Sequence, residues 1–336
     1  MAALGSSASK RYLLLVAGAA AGVTAAVLFA VQRRRRRRRL AVTKLLRYPV
    51  KSCGQEELEK ARVLPMGFEG DREFQVTDVE GKYCTPRDED KARLFQVSCK
   101  LTPQLLVMQA PKQEAFQLER AMATRPVDVQ VLCAPSPQRL QDFGDEVASW
   151  LQKVTGISGC RLTGIGEGYS RTVQYNPKQE EPVPIPHAPV SLADEAPFLL
   201  TTTASLEDLN RRLIAKGEAP VDMRRFRPNI VLSGTLPWEE DSWKRIRIGS
   251  VEFSVWQRCA RCAMTTIDPD TLERGKEPLV ELAKFRKRHH GTRNFGMHVV
   301  PCELPLNGVE IEVGASLEVL EFEERRRSEW EKFHSQ

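Results

Sequence analysis

Short apolar runs broken by polar turns dominate the chain after residue 40. Ala41–Tyr48 alternates and stops at Pro49, which cannot donate to a ladder, so it reads as a strand. Glu56–Leu64 alternates charged and apolar residues and predicts a second strand. Gly67 and Gly70 mark a turn, after which Arg72–Asp78 predicts a third. Leu94–Cys99, Gln104–Gln109 and Val127–Cys133 predict further short strands. From Asp145 to Val154 the period changes to that of a helix, with Val147, Trp150, Leu151 and Val154 on one face. Ser205 reads as the cap of a second helix running through Lys216, with Asp208 three residues on. Asn229–Ser233 reads as a buried strand, and Trp243–Ile248 with Val251–Val255 as a hairpin about Gly249. Pro278–Arg288 predicts a short helix, Val309–Val313 and Ser316–Phe322 two last strands, and Glu323–Gln336 a charged, helical tail. Residues 165–191, rich in Gly, Pro and polar side chains, read as a domain boundary or a long surface loop. Many short strands with few helices predict a mainly β body of α+β class with barrel-like sheets.

One stretch breaks this rhythm. Tyr12–Val31 carries no charge over 20 residues, enough to cross the ~30 Å hydrocarbon core of a bilayer as a helix. It predicts a transmembrane signal anchor rather than a cleaved leader, whose charges would precede the apolar run. Arg33–Arg39 follow it at once, and such a basic cluster prefers the cytosolic side, so the body is expected to face the cytosol. A basic cluster after a moderately apolar helix suits the mitochondrial outer membrane.

The same cluster explains the net charge of +6. Nine positive charges and no acid sit in the first 40 residues, leaving a net −3 on the other 296. A nucleic-acid footprint needs basic charge on the folded surface, so nucleic acid is excluded as the expected partner. The eight cysteines are spread through a long chain, which suits reduced thiols more than a disulfide framework.

The sharpest local feature is Cys259-Ala260-Arg261-Cys262. Four readings stand open. A structural zinc site needs four ligands, yet no second such pair exists and His289 and His290 lie far along the chain. A redox pair wants a helix start in a βαβ context, whereas this pair follows a β-hairpin. The third reading is one thiolate on a soft transition metal, with the neighbouring Arg261 favouring the charged sulfur. The fourth is two cysteines simply packed at a strand end.

Distant pieces change the balance when taken together. YPVKSC at 48–53, GDR at 70–72, PFLLTTTASLEDLN at 197–210, RFRPNIVLSG at 225–234, EDSWKRIRIGSVEF at 240–253 and CARCAMTTIDPDT at 259–271 occur in one order. This series resembles the MOSC domain family with its N-terminal β-barrel partner, and within it the mitochondrial amidoxime reducing components. The resemblance runs over residues 41 to 320. It implies an anchor over 1–40, an N-terminal MOSC-type β domain over 41–165, a MOSC β-barrel domain over 166–322 and the tail at 323–336.

It also implies a pterin-dithiolene molybdenum cofactor (Mo-molybdopterin) whose metal is held by Cys262. Lys51, Ser52, Arg72, Arg227, Asn229, Ala260 and Arg261 fall on motif positions and are expected to bind the cofactor. Such residues suit a phosphate-bearing anion, since Arg offers a planar fork of donors, Lys a point charge and Ser a short hydroxyl. Each alone reads equally well as solvated surface. The chain departs from the family pattern at Glu195 and Ala196, where small hydroxyl residues are usual, at Ala260 inside the cysteine motif, and at His298, where Tyr is usual. Glu195 and Ala196 are still expected against the cofactor, and His298 is the expected proton donor beside catalytic Cys262.

The activity implied is reduction of N-hydroxylated compounds such as amidoximes and hydroxylamines, with nitrite as a further substrate. No GxGxxG follows a strand and no haem attachment motif occurs. Electrons are therefore expected from partners, which the resemblance gives as cytochrome b5 and its NADH-dependent reductase. The alternative is a molybdenum cofactor carrier or sulfur-transfer protein without reductase activity. The chain has no room for the pyridoxal-phosphate domain that sulfur mobilisation would need.

Overall fold

The computed structural model describes residues 38–173, 187–286 and 291–334. The predicted anchor, most of the arginine cluster, much of the 165–191 loop and His289 and His290 lie outside them. Among the described residues no helix is long and apolar enough to cross a membrane.

Among the described residues eighteen strands run in chain order as β1 Ala41–Arg47, β2 Glu56–Leu58, β3 Lys60–Leu64, β4 Gly67–Phe68, β5 Phe74–Thr77, β6 Ser98–Leu101, β7 Leu105–Gln109, β8 Phe116–Glu119, β9 Arg125–Val129, β10 Gln138–Asp142, β11 Arg161–Gly164, β12 Phe198–Thr202, β13 Ile230–Ser233, β14 Trp243–Ile248, β15 Val251–Ala260, β16 Asn294–Pro301, β17 Val309–Glu312 and β18 Leu317–Phe322. The α-helices among the described residues are α1 Asp145–Thr155, α2 Thr203–Ala215, α3 Leu279–Phe285 and α4 Glu324–His334. The mainly β expectation holds.

The largest sheet has eight strands in the order β18-β14-β15-β16-β12-β13-β1-β2. It curls until Ser316, just before β18, bridges Ala41 in β1, and Val42 N donates to Ala315 O at 3.0 Å. The result is a partly closed barrel. Its interior holds Phe198, Trp243, Phe253, Met297 and Val299, all buried. Edge-on aromatic contacts, such as Phe198–Phe253 at 5.6 Å between ring centres, fill it. A second core gathers Phe74, Leu94, Leu106, Met108, Leu151 and Leu162 between α1, the sheet β5-β11-β10-β9 and the sheet β6-β7-β8. Front and rear of the chain are laced together within the first core: β1 from the front of the chain pairs with β13, and β17 from its end pairs with β3.

Several expectations need correction. Glu56–Leu64 is two strands, because the chain leaves one sheet for another at Glu59: β2 pairs with β1, and β3 with β17 and β4. Leu94–Cys99 is not one strand. Glu89–Gln96 forms a 3-10 turn that buries Ala92, Leu94 and Phe95, and only Ser98–Leu101 is extended. The strand placed at Val127–Cys133 is Arg125–Val129, paired along its length with β10. The second helix is capped by Thr202, whose hydroxyl accepts from Ser205 N at 3.2 Å, so Ser205 lies inside the first turn. The described ends of the 165–191 segment pair with each other, Thr172 against Pro189.

Candidate functional site

A cavity of about 490 Å³ opens where the large sheet meets the loops of the front half. The chain enters it from several directions. Lys51 and Ser52 follow β1, Arg72 precedes β5, Arg227 and Asn229 precede β13, Ala260 ends β15, and His298 sits in β16. Every residue singled out from sequence lines it: Lys51, Ser52, Arg72, Glu195, Ala196, Arg227, Asn229, Ala260, Arg261, Cys262 and His298. Four lining residues hold left-handed backbone, Ser52 (φ 73°), Arg72 (φ 50°), Cys133 (φ 61°) and Arg227 (φ 55°). Non-glycine residues adopt this conformation only where surroundings over-determine it, and such strain gathers at functional sites.

The wall is cationic, with seven Lys or Arg residues against Asp194 and Glu195. Arg72 is held by Asp71 at 2.5 Å and by Asn229 Oδ1 at 3.0 Å. Asp71 also accepts from Tyr48 N at 2.8 Å. The glycine of the GDR turn is needed there: at Gly70 (φ 82°) a Cβ would stand 2.4 Å from the Leu101 side chain. Arg227 donates to Cys53 O at 2.8 Å, and both Arg72 and Arg227 stand 4.3 Å from the Tyr48 ring centre. Burial, with some opposition from Arg72 and Arg227, drives the Tyr48 hydroxyl pKa in the other direction, up to about 12. Burial likewise pulls the pKa of Lys51 and of Arg227 down, Asp194 opposing it for Lys51. These cations are short of negative charge, a condition an incoming anion would relieve. Asn229 is committed to the scaffold, since its side chain binds Arg72, Leu199 N and Leu46 O.

The two sulfurs of the cysteine motif have separate partners. Arg87 Nε donates to Cys262 Sγ at 3.3 Å, while Arg261 Nη1 reaches Cys259 Sγ at 2.7 Å. The sequence expectation that Arg261 supports Cys262 is thus corrected. Side chains on extended backbone alternate, which puts residue 261 on the side of residue 259. Cys262 is itself extended (φ −113°, ψ 178°). Three extended steps cover about 10 Å, beyond the ~7 Å limit for bridging two Cα atoms. A redox pair would need the backbone to move. Among the described residues no three His, Cys, Asp or Glu side chains gather as metal ligands, so a four-ligand zinc site has no donors there.

Sequence reasoning missed Arg87 and Asp194. Asp194 bridges Lys51 and Arg87, the latter at 3.1 Å. Burial works against its carboxylate, but these two cations hold it far below the usual carboxylate range. Burial also opposes charge on Arg87, and Asp194 with Cys262 outweighs it. Asp194 neighbours the flagged Glu195, a usable signal. Arg87 lies in a polar loop with none.

Small front sheets and a rear, partly closed barrel, sharing a cationic cavity in which two cysteines each face an arginine, define a class, and the chain belongs to the MOSC domain family. The MOSC domain model matches residues 187–318, and the MOSC N-terminal beta barrel domain model matches residues 39–158. Mitochondrial amidoxime-reducing component 1 of Mus musculus is 34% identical over 252 residues, covering 73% of this chain and 71% of that protein. Its namesake in Homo sapiens is 34% identical over 253 residues, with 73% and 72% covered. Molybdenum cofactor sulfurase of Homo sapiens is 29% identical over 276 residues, but this chain spans only 30% of its length. These relatives associate the family with the molybdenum cofactor.

Proposed function

We propose that this protein is a molybdenum-cofactor-dependent reductase of N-hydroxylated compounds, amidoximes and hydroxylamines, with nitrite as a further substrate. The observation that carries the reading is Cys262: its sulfur faces the cationic cavity and takes a hydrogen bond from Arg87. The donor set suits a metal that brings most of its own ligands on an anionic pterin and needs one protein thiolate. The cavity volume falls in the ordinary range for cofactor sites. When bound, the cofactor would supply abstraction of oxygen from the N–O bond.

The chain's own residues do the rest. Lys51, Ser52, Arg72, Arg227 and Arg261 cradle the anion, and the Arg261 Nε proton, buried without a hydrogen-bond partner, is available to it. Ala196 and Ala260 offer backbone groups and close approach, Asn229 orients Arg72, and Glu195 shapes the wall beside His298. His298 delivers the proton that product formation needs. Electrons come from cytochrome b5 and its NADH-dependent reductase. The division at 41–165 and 166–322 assigns the front of the cradle to one β domain and the metal thiolate to the other. Tyr12–Val31 anchors the body to the mitochondrial outer membrane, facing the cytosol, a reading supported by the arginine cluster and by the relatives' names. A reductase is favoured over a sulfur-transfer protein because the chain is 34% identical to an amidoxime-reducing component against 29% to a sulfurase.

The test is molybdenum content and NADH-driven amidoxime turnover of full-length protein made in a pterin-producing host, with both electron donors added. The expected result is about one metal per chain and loss of turnover in Cys262→Ser with the circular-dichroism spectrum kept. Well-folded wild-type protein without molybdenum, or an active Cys262→Ser, sinks the proposal.

A further inference from the structure

Cys133, Cys259 and Cys262 all line the cavity, and the proposed chemistry leaves Cys259 unused. Its surroundings are the most developed of the three. Cys259 faces a register irregularity: from Arg258, opposite Met297, to Ala260, opposite Asn294, β15 advances two residues while β16 advances three. Such bulges re-aim a side chain. Arg261 Nη1 lies 2.7 Å from its sulfur, and the His298 imidazole on the neighbouring strand is near enough to feel its charge. His298 Nδ1 is buried, has no hydrogen-bond partner, and stands 3.6 Å from Glu195 Oε2. Relay contacts of this kind are often long before a substrate binds. Glu195 and His298, the two departures from the family pattern with ionisable side chains, therefore meet at one sulfur.

The electrostatics agree with the geometry. Burial would raise the Cys259 thiol, but Arg261 and His298 outweigh it and bring the pKa below the ordinary thiol value. Burial would lower His298, but the Cys259 sulfur and Glu195 outweigh it and raise the imidazole. Each group thus favours the charged form of the other, with a carboxylate behind: nucleophile, acid–base partner and orienting group.

We propose that Cys259, His298 and Glu195 form a nucleophilic site that bonds covalently to small α,β-unsaturated carbonyl compounds entering the cavity. The sulfur pair forms a bond to the β-carbon. The π pair of the C=C bond moves to the α-carbon, which takes the proton from His298, so the adduct is neutral and no oxidant is consumed. The cationic wall polarises the carbonyl. This site shares the cavity, His298 and Glu195 with the proposed reductase chemistry but uses a different sulfur and does not rest on the molybdenum reading.

The experiment uses full-length protein made in a host that cannot produce the pterin, treated with acrylamide at neutral pH. Adducts at each cysteine are counted by mass spectrometry over time. Cys133 and Cys302 are internal controls: both reach solvent, and the partial desolvation of their sulfurs with nearby carboxylates raises both thiols, Cys133 to about 11. Cys259 is expected to react at least about tenfold faster than either. His298→Gln should remove that advantage and leave both control rates unchanged, which also reports that the fold survives. Glu195→Gln, at a less buried position, should cut the Cys259 rate by a smaller factor and stands in if His298→Gln does not fold. Labelling of Cys259 no faster than of the controls, or a rate indifferent to these substitutions, overturns the proposal.

Discussion

Arg87 orients the proposed metal-binding sulfur. It contacts Cys262 with one nitrogen and Asp194 with another, so its position is fixed at both ends. Removing a partner that orients a ligand commonly costs about 10–100-fold in metal affinity. Arg87→Leu is therefore expected to lower molybdenum per chain steeply, while Arg261→Leu, whose guanidinium serves Cys259, should lower it less. Metal analysis of the two variants checks the order. Equal occupancy in Arg87→Leu and wild type would mean that the sulfur–guanidinium contact does nothing for the ligand.

At the level of elements, the strands carrying the site are clamped from behind by one buried carboxylate. Asp241, in the 3-10 turn Glu239–Ser242, accepts from Arg258 on β15 at 3.0 Å and from Arg286 at the end of α3 at 2.6 Å. Arg286 also donates to Asn294 O at the start of β16, and Arg258 reaches Glu329 on α4. One turn thus ties β15, β16, α3 and α4 together. Asp241→Ala strands two buried guanidiniums, and breaking a buried pair in this way typically costs about 3–5 kcal/mol. Urea unfolding should show a loss of that size. A loss under about 1 kcal/mol would place the node's energy elsewhere.

For the molecule as a whole, the neighbouring Glu240 makes stability depend on pH. Burial and Asp241 push its carboxyl well above the usual range, while Ser205 Oγ donates to it at 2.7 Å. A raised folded pKa means that the fold prefers the protonated form. That contribution is full below the ordinary glutamate value of about 4.3 and is lost as pH rises through the raised folded value. Asp142, Asp194 and Asp208 act oppositely: cationic partners outweigh burial and depress them, so their contribution is present above the ordinary aspartate value and is lost on acidification. Glu240→Gln removes only the first effect. Its melting temperature relative to wild type should rise between about pH 5 and pH 8. A difference constant across that range would show that Glu240 does not titrate in the fold.

Much of this protein is written locally. Alternation in Ala41–Arg47, the Gly249 hairpin and the helical face of Asp145–Thr155 need only nearest neighbours to be recognised. The motif residues came legibly in register, and all of them reach one cavity. What the sequence could not decide was everything set by pairing across long stretches of chain. Whether Glu56–Leu64 continues or breaks depends on which strands await on either side of Glu59. β12 and β16, which carry the floor of the site, went unread because buried strands show no alternation: each is almost wholly buried. Which arginine meets which sulfur, and that Glu195 and His298 converge on Cys259, follows from strand alternation and a local bulge. Side-chain direction is a property of the assembled sheet, so spacing along the chain names the groups but only the sheet chooses their partners.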